Sequence, residues 1–414
     1  MGAVADVVIV GAGAAGLATA IFCKRHAPGL HVICLDGARR VGAKILVSGG
    51  SRCNVTNAVV TERDFWGGPA RFVRSVLRAF PSSRAVAFFA EIGVPLHEEE
   101  DGKLFPDTCR ARTVLEALLR ELERLGVELG TGERAIDVRR EAGGFVVATA
   151  SGGEYHARVV VLATGGRSLP KTGSDGAGYD LASRLGHGCV ETTPALVPLV
   201  LAGNTHAALS GVSHPARLTI RAEGRRDLRL DGALLWTHTG VSGPVALNAS
   251  RHWHRARLEG RDVDVRLSVC PGETFESLEA WLEDQARARP RTLVTTALAT
   301  RLPAAVAEAW ARAAGVEAVT LAHLPRDARR RLVRALLDVP LAVRDSRGYA
   351  VAEVTAGGIP LDEIDPARMA SRRCEGLYLV GEMLDVDGRL GGFNFQWAWS
   401  SAWVAGRAIA RALR

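Results

Sequence analysis

Gly11, Gly13 and Gly16 stand in a G-x-G-x-x-G run, with Ala14 and Ala15 between the last two. After an apolar strand such a run can hold a pyrophosphate. The first glycine permits a tight turn, the second lets the backbone approach the phosphates, and the third lets a helix pack closely on the strand. The helix that follows aims free amides and its positive dipole end at the anion. Asp36 closes the next apolar segment, where a carboxylate suits the ribose hydroxyls of an adenosine. The glycine spacing is common by itself. Strand, glycines, helix, strand and acid in that order carry the reading.

A second group lies in the Gly-, Ser- and Asn-rich stretch 37–57, which is too long for a simple connector. Ser48, Gly49 and Gly50 offer a hydroxyl and backbone amides to an anion. Arg52 is a charged donor suited to a pyrophosphate. Cys53 has no neighbouring thiol to act as a resolving partner, so it reads as a small packed residue.

Two later segments repeat the pattern of an apolar strand running into glycine: Ala163-Thr164-Gly165-Gly166 and Val380-Gly381-Glu382. A nicotinamide dehydrogenase has no need of such late returns to its cofactor, whereas FAD-binding proteins of the two-dinucleotide-binding class use both. FAD is therefore the expected tightly held cofactor, with Asn54 and Thr56 fixing the loop or bonding the flavin edge. Gly391, Gly392, Phe393 and Asn394 precede the final helix, whose amides and dipole would stabilise negative charge at the flavin N1–C2=O2 side. His238 is a candidate acid or base because imidazole titrates near neutrality; a structural hydrogen-bonding role is the competing reading. No histidine in the Gly-rich loop suggests a covalent flavin link, so FAD is expected to be held non-covalently. Trp397, Trp399 and Trp403 read as helix core.

The elements that must position these residues follow from hydrophobic pattern. Asp6–Val10 and His31–Leu35 read as buried strands flanking a helix over Ala12–Arg25, a βαβ unit. Helices are expected over 71–93 and 111–125, and strands and hairpins over 127–165, with a buried parallel strand at Val159–Ala163. The texture changes near Pro194 and again near Val351. The fold class is therefore α/β. A discontinuous Rossmann-like FAD domain (1–193 and 351–414) is expected to carry an insert over 194–350, barrel-like and β-rich at 194–270 and 340–350, with a helical part at 271–339.

Composition narrows the function classes. With 47% hydrophobic and 23% charged residues the chain has the balance of a soluble globular protein. No apolar run is long enough to span a bilayer, and the N-terminal run lacks a basic n-region and cleavage site; no membrane association and a cytoplasmic location are expected. The seven cysteines never form C-x-x-C, which argues against a zinc site and a dithiol redox centre, and no metal is expected. The net charge of +7 is carried almost wholly by arginine, and runs such as Arg329-Arg330-Arg331 read as a solvated helix face, so nucleic acid is not the expected partner. The sequence gives no oligomeric state.

The segment Lys44–Asn57, with Lys44 and Ser48-Gly49-Gly50-Ser51-Arg52-Cys53-Asn54, resembles the signature of the aminoacetone-oxidase-family FAD-binding flavoproteins, also called BaiN/YhiN-like. The similarity continues through Asp101–Pro106, Ala163–Gly173, Thr237–Pro244 and Gly381–Ala398, almost the whole chain. Ser51 departs from the usual third glycine and Ala43 from a common basic residue. The resemblance implies a flavin domain with a β-barrel insert and a helical subdomain. It also implies cofactor contacts from Lys44 and from the backbone at Ala135 and Ile136, which would meet the adenine. Family members include an enoyl-type reductase acting on steroid-like substrates and aminoacetone oxidases. The expected activity is thus hydride transfer through FAD to or from a small organic substrate. Without a second Gly-rich nucleotide motif, NAD(P)H is expected only as a transient co-substrate. The alternatives are an FAD-dependent tRNA-modifying factor and a flavin-bound regulatory protein.

Overall fold

The computed structural model describes residues 3–204 and 206–414; the first two residues of the N-terminal segment lie outside them. The chain forms two compact units, one running to Pro194 and resuming at Tyr349–Arg414, the other Ala195–Gly348.

The first unit is built on parallel strands β1 (Ala3–Val10), β2 (Val32–Asp36), β3 (Glu128–Thr131), β4 (Glu154–Leu162) and β6 (Leu377–Leu379), with a further strand, β5 (Val354–Gly358), outside that sheet. The parallel order is β6-β4-β1-β2-β3. Val7, Val8 and Ile9 are fully buried, as expected for a strand covered on both faces. Helix α1 (Ala14–His26) and the C-terminal helix α3 (Phe393–Ala412) pack so closely that a Cβ on Gly406 would lie 2.8 Å from Phe22 Cβ. A hairpin, Ala135–Glu141 with Gly144–Thr149, extends the sheet by antiparallel pairing onto β4.

Register is what builds the site. Val10 lies opposite both Leu35 and Leu162, and Leu162 opposite Leu379. The carboxyl ends of β1, β2, β4 and β6 are therefore level. The segments leaving them are stitched together by Gly11 N to Leu35 O (2.7 Å), Ala163 N to Val10 O (2.8 Å) and Val380 N to Leu162 O (3.1 Å). Ligands of open α/β sheets bind at this edge, where the chain direction of the crossovers reverses.

The second unit holds a seven-stranded antiparallel sheet in the order Val339–Pro340, Val263–Ser268, Ser213–Ala222, Leu228–Thr237, Gly240–Ser242, Leu199–Leu201, Val343–Ser346. Its two edge strands are consecutive in the chain, joined only by Leu341 and Ala342. Helices Phe275–Ala288, Val294–Leu298, Ala304–Ala313 and Arg326–Leu337 occupy the expected helical part. One element departs from the sequence reading. Gly243–Leu258 is a 16-residue helix where short strands and turns were expected. Gly243-Pro244 reads as a turn, but proline sits well in a first helical turn, and Val245, Ala246, Ala249, Trp253 and Ala256 bury one helical face.

Candidate FAD site

The first turn after β1 is shaped by close approach. A Cβ on Gly16 would sit 1.8 Å from Gly11 O, so only glycine lets α1 start there. A Cβ on Gly13 would meet nothing within 4 Å, and its backbone is extended, so the protein itself does not require glycine at 13. Open space there is what an approaching pyrophosphate needs. Gly13 is also the N-cap of α1 and no side chain caps the helix, so its first amides are left for a ligand. Ala15 is buried, and a Cβ on Gly381 would lie 2.7 Å from its Cβ; Ala14 is half-buried in the same turn.

Asp36 accepts from Ala12 N (2.8 Å) and Ala38 N (2.8 Å), one bond on each carboxylate oxygen. It thus locks the glycine turn, and each oxygen keeps a further lone pair for a ribose hydroxyl. Glu133 N donates to Asp36 O (2.8 Å), which ties the segment leading to Ala135 and Ile136 to the end of β2. Ala135 is buried, whereas Ile136 falls in a β-bulge and is 50% exposed.

Helix α2 (Ala43–Ser51) ends in an unusual run: Gly49, Gly50 and Ser51 have φ of 55°, 67° and 67°, and Cys53 62°. Ser48 Oγ is committed to Ile45 O (2.7 Å), so backbone amides, not this hydroxyl, are what the loop can present. Cys53 is fully buried, and burial pushes its thiol up to about 12, outweighing the opposing influence of Ser48. That agrees with a packed residue and not with a thiolate. Arg52 turns away from the expected phosphate role: Nη1 donates to Glu99 Oε1 (2.7 Å) and the guanidinium lies 4.1 Å from the Phe105 ring centroid. A carboxylate 47 residues downstream gave no local signal in the sequence.

Lys44 Nζ donates to Glu382 Oε2 (2.6 Å) and Ser168 Oγ (2.7 Å). Glu382 Oε1 in turn accepts from Ser168 Oγ (2.8 Å) and Thr355 N (3.1 Å). Thr355 Oγ1 accepts from Arg167 N (2.8 Å) and Ser168 N (3.1 Å). Ser168 and Thr355 were missed by the sequence reading, although Ser168 lies only a few residues past Thr164 and Gly165. Gly165 itself takes φ 74°, and Thr164 Oγ1 lies 4.0 Å from Met383 Sδ.

The last helix closes the site. Gly392 (φ 89°) is the N-cap of α3, again with no side-chain cap. Gln396 N makes the first backbone bond, to Gly392 O (3.0 Å), which leaves the amides before it unpaired within the helix. Trp397 Nε1 holds Gly381 O (3.0 Å) and Ser401 Oγ accepts from Gly381 N (3.0 Å), while Trp399 Nε1 holds Val55 O (2.9 Å). These indoles are core, and they also pin the segments at Val55 and Gly381 to α3. Asn394 clasps Gly388 through both side-chain atoms (2.8 and 3.0 Å), so its role is to shape the loop, and Phe393 is fully buried. Asn54 is buried beside Gly392, and its Oδ1 has no hydrogen-bond partner within the protein. An orphaned buried acceptor is costly and calls for a donor from a ligand. His238 is exposed in the tight turn between Leu228–Thr237 and Gly240–Ser242 of the second unit.

Two uncapped helix N-termini, open space over Gly13 and an unpaired Asn54 acceptor fit FAD. Fold and site together define an FAD-dependent oxidoreductase with a Rossmann-type cofactor domain. The chain belongs to the HI0933-like family: the HI0933-like protein Rossmann domain matches residues 5–408. It is 33% identical over 407 residues to a 3-dehydro-bile acid delta(4,6)-reductase of Clostridium scindens, covering 97% of this chain and 98% of that protein. It is also 33% identical over 409 residues to a ribosomal RNA dihydrouridine synthase of Escherichia coli, covering 98% of both. Among solved structures, a 3-ketosteroid delta1-dehydrogenase from Sterolibacterium denitrificans shares the fold with a TM-score of 0.52 at 14% identity, covering 99% of this chain and 100% of that one. Among the described residues no helix is long and apolar enough to cross a membrane.

Proposed function

We propose that the protein reduces a carbon–carbon double bond conjugated to a carbonyl in a small organic substrate, with non-covalently held FAD and NAD(P)H as a transient electron donor. The observation that carries this reading is chemical. Two relatives of equal identity bear names that describe one transformation, addition of two hydrogens across a double bond next to a carbonyl: in a 3-oxo bile acid and in the uracil of RNA. FAD supplies the hydride chemistry when bound. The chain's part is to hold it: α1 at the pyrophosphate, Asp36 at the ribose, Glu382 with Lys44 toward the ribitol, and α3 with Asn54 at the flavin ring.

The second of those relatives favours another reading, a uracil within RNA, and the excess of 52 Lys and Arg over 45 Asp and Glu is compatible with it.

Anaerobic holoprotein reduced with dithionite, then mixed with 4-androstene-3,17-dione, 2-cyclohexenone or a ribosomal RNA transcript, tests both. Return of oxidised-flavin absorbance with an enone, and a product heavier by two hydrogens, supports the small-molecule reading. Reoxidation by the transcript alone, weakening with salt, replaces it with the RNA reading. Reoxidation by none of the three overturns both.

A further inference from the structure

Arg52 leads to a group of side chains that the proposed reaction does not use. Its partner Glu99 directly follows the first strand of a short antiparallel hairpin, Leu96–Glu98 with Lys103–Pro106, in which His97 stands opposite Phe105. His97 and Glu99, two apart along an extended chain, face the same side of it. Three backbone bonds fix the ends of the hairpin: Glu99 N to Lys103 O (2.8 Å), Asp107 N to Pro95 O (3.0 Å) and Cys109 N to Pro106 O (2.7 Å).

Both ring nitrogens of His97 face carboxylates. Nδ1 lies 3.3 Å from Asp107 Oδ1, and Nε2 lies 3.3 Å from Glu99 Oε1. A neutral imidazole has a single N–H and can satisfy only one of them, so the other contact needs a cation between its two atoms, either a proton or a metal ion. Cys109 bears on that choice. Its Sγ lies 4.0 Å from the same Nε2, and the donor atoms of His97, Glu99 and Cys109 all fall within 4.8 Å of one another. Around a tetrahedral zinc ion, with bonds of about 2.0 Å to N and O and about 2.3 Å to S, neighbouring donors stand roughly 3.3–3.6 Å apart. The spacing of His97 and Glu99 already matches, and Cys109 is exposed, so its side chain is free to close the remaining gap.

We propose that His97, Glu99 and Cys109 bind one divalent ion of the zinc class, with water in the fourth position. The supporting partners are in place. Asp107 holds Nδ1 and so turns Nε2 toward the ion. Arg52 Nη1 holds Glu99 Oε1 (2.7 Å) and is itself seated over the Phe105 ring. The two charges of the ion together with Arg52 balance a thiolate and two carboxylates. Thiolate and imidazole donors select zinc-like ions over magnesium or calcium. Binding releases the Cys109 thiol proton to solvent and leaves His97 neutral, its one proton on Nδ1. Cysteine spacing gave no sign of this site because a single thiol takes part in it.

The test uses the flavin-loaded full-length protein, with its thiols reduced and metals removed by a chelator. Cobalt(II) should bind wild type at one equivalent and give ligand-field bands at wavelengths longer than the flavin's, and zinc(II) should then abolish them. Cys109→Ser and His97→Gln should each lose these bands. Asp107→Asn should keep them but bind on the order of 10- to 100-fold more weakly. Cys189→Ser, which removes the other exposed thiol, should behave as wild type. Flavin absorbance and melting temperature of each metal-free variant show that it has folded. A wild type without cobalt bands, or bands that survive in Cys109→Ser or vanish in Cys189→Ser, overturns the proposal.

Discussion

Lys44 Nζ and Glu382 Oε2 lie 2.6 Å apart although 338 residues separate them in the chain. The pair joins α2, which follows β2, to the segment that follows β6, and Ser168 beyond β4 completes it. Both side chains are largely buried, at 24% and 18% exposure, so removing one partner strands the other. Lys44→Met is expected to lower stability by about 2 kcal/mol and weaken FAD retention. Lys44→Met with Glu382→Gln should recover much of the stability, because the stranded charge is gone. Thermal melts and flavin content of the three proteins check this.

The glycine turn separates folding from binding. Gly13→Val adds a side chain where the protein has open space, so the variant should fold with a near-wild-type melt yet purify without flavin absorbance. Gly16→Ala forces a Cβ into Gly11 O and should lower stability markedly whether or not FAD is present. A Gly13→Val protein that keeps its flavin would remove FAD from this turn.

Much of this site was legible because its signals are local. Gly11, Gly13 and Gly16 follow an apolar run, and Gly392 precedes a helix; each announces a helix N-terminus within a few residues. The leveling of four strand ends follows from parallel pairing once those runs are recognised. Other features depend on partners distant in sequence. Nothing near Arg52 indicates Glu99, nothing near Lys44 indicates Glu382, and the unpaired Asn54 acceptor exists only once Gly392 packs beside it. The helix Gly243–Leu258 was missed for a different reason: Gly-Pro is as good a helix start as a turn, and only the buried stripe from Val245 to Ala256 decides.

Ser51 holds a left-handed backbone, φ 67°, in an exposed position where the resembling family favours glycine. A side chain in that conformation costs about 1 kcal/mol. Ser51→Gly is therefore expected to raise the unfolding free energy by about 1 kcal/mol without altering the flavin spectrum, as read by denaturant titration. A loss of stability would mean that the hydroxyl makes an interaction outweighing the strain.

The thiols should play no part in turnover. All seven cysteines are free, and Cys53, in the cofactor loop, is held as a thiol by burial. Cys53→Ser should keep FAD and most of the flavin reduction rate while losing roughly 1–2 kcal/mol of stability, because a hydroxyl replaces a buried sulfur. Stopped-flow bleaching and thiol counts before and after reduction give the answer. Two extra thiols on reduction of the wild type would establish a dithiol mechanism instead.

Acid should destabilise the second unit through His254. This residue lies on the helix Gly243–Leu258, bonded through Nε2 to Ser346 Oγ (2.7 Å) and edge-on to Trp253. Burial lowers its pKa from 6.5 to about 4; Asp345 opposes the shift and Arg257 adds to it. Between those two values the unfolded chain carries a proton on this imidazole that the folded protein does not. The unfolded state then binds more protons, so stability rises with pH across the window and is lost as pH falls from neutrality toward 4. His252 on the same helix, lowered to about 3, adds a loss of the same sign. His254→Asn removes one titrating group while keeping a polar side chain near Ser346, and should flatten the fall between pH 6.5 and 4 by about 2 kcal/mol. Denaturant titrations of the two proteins at pH 7 and pH 4.5 measure the difference. Equal pH slopes would mean that His254 is protonated in the folded state and that the loss belongs to other groups.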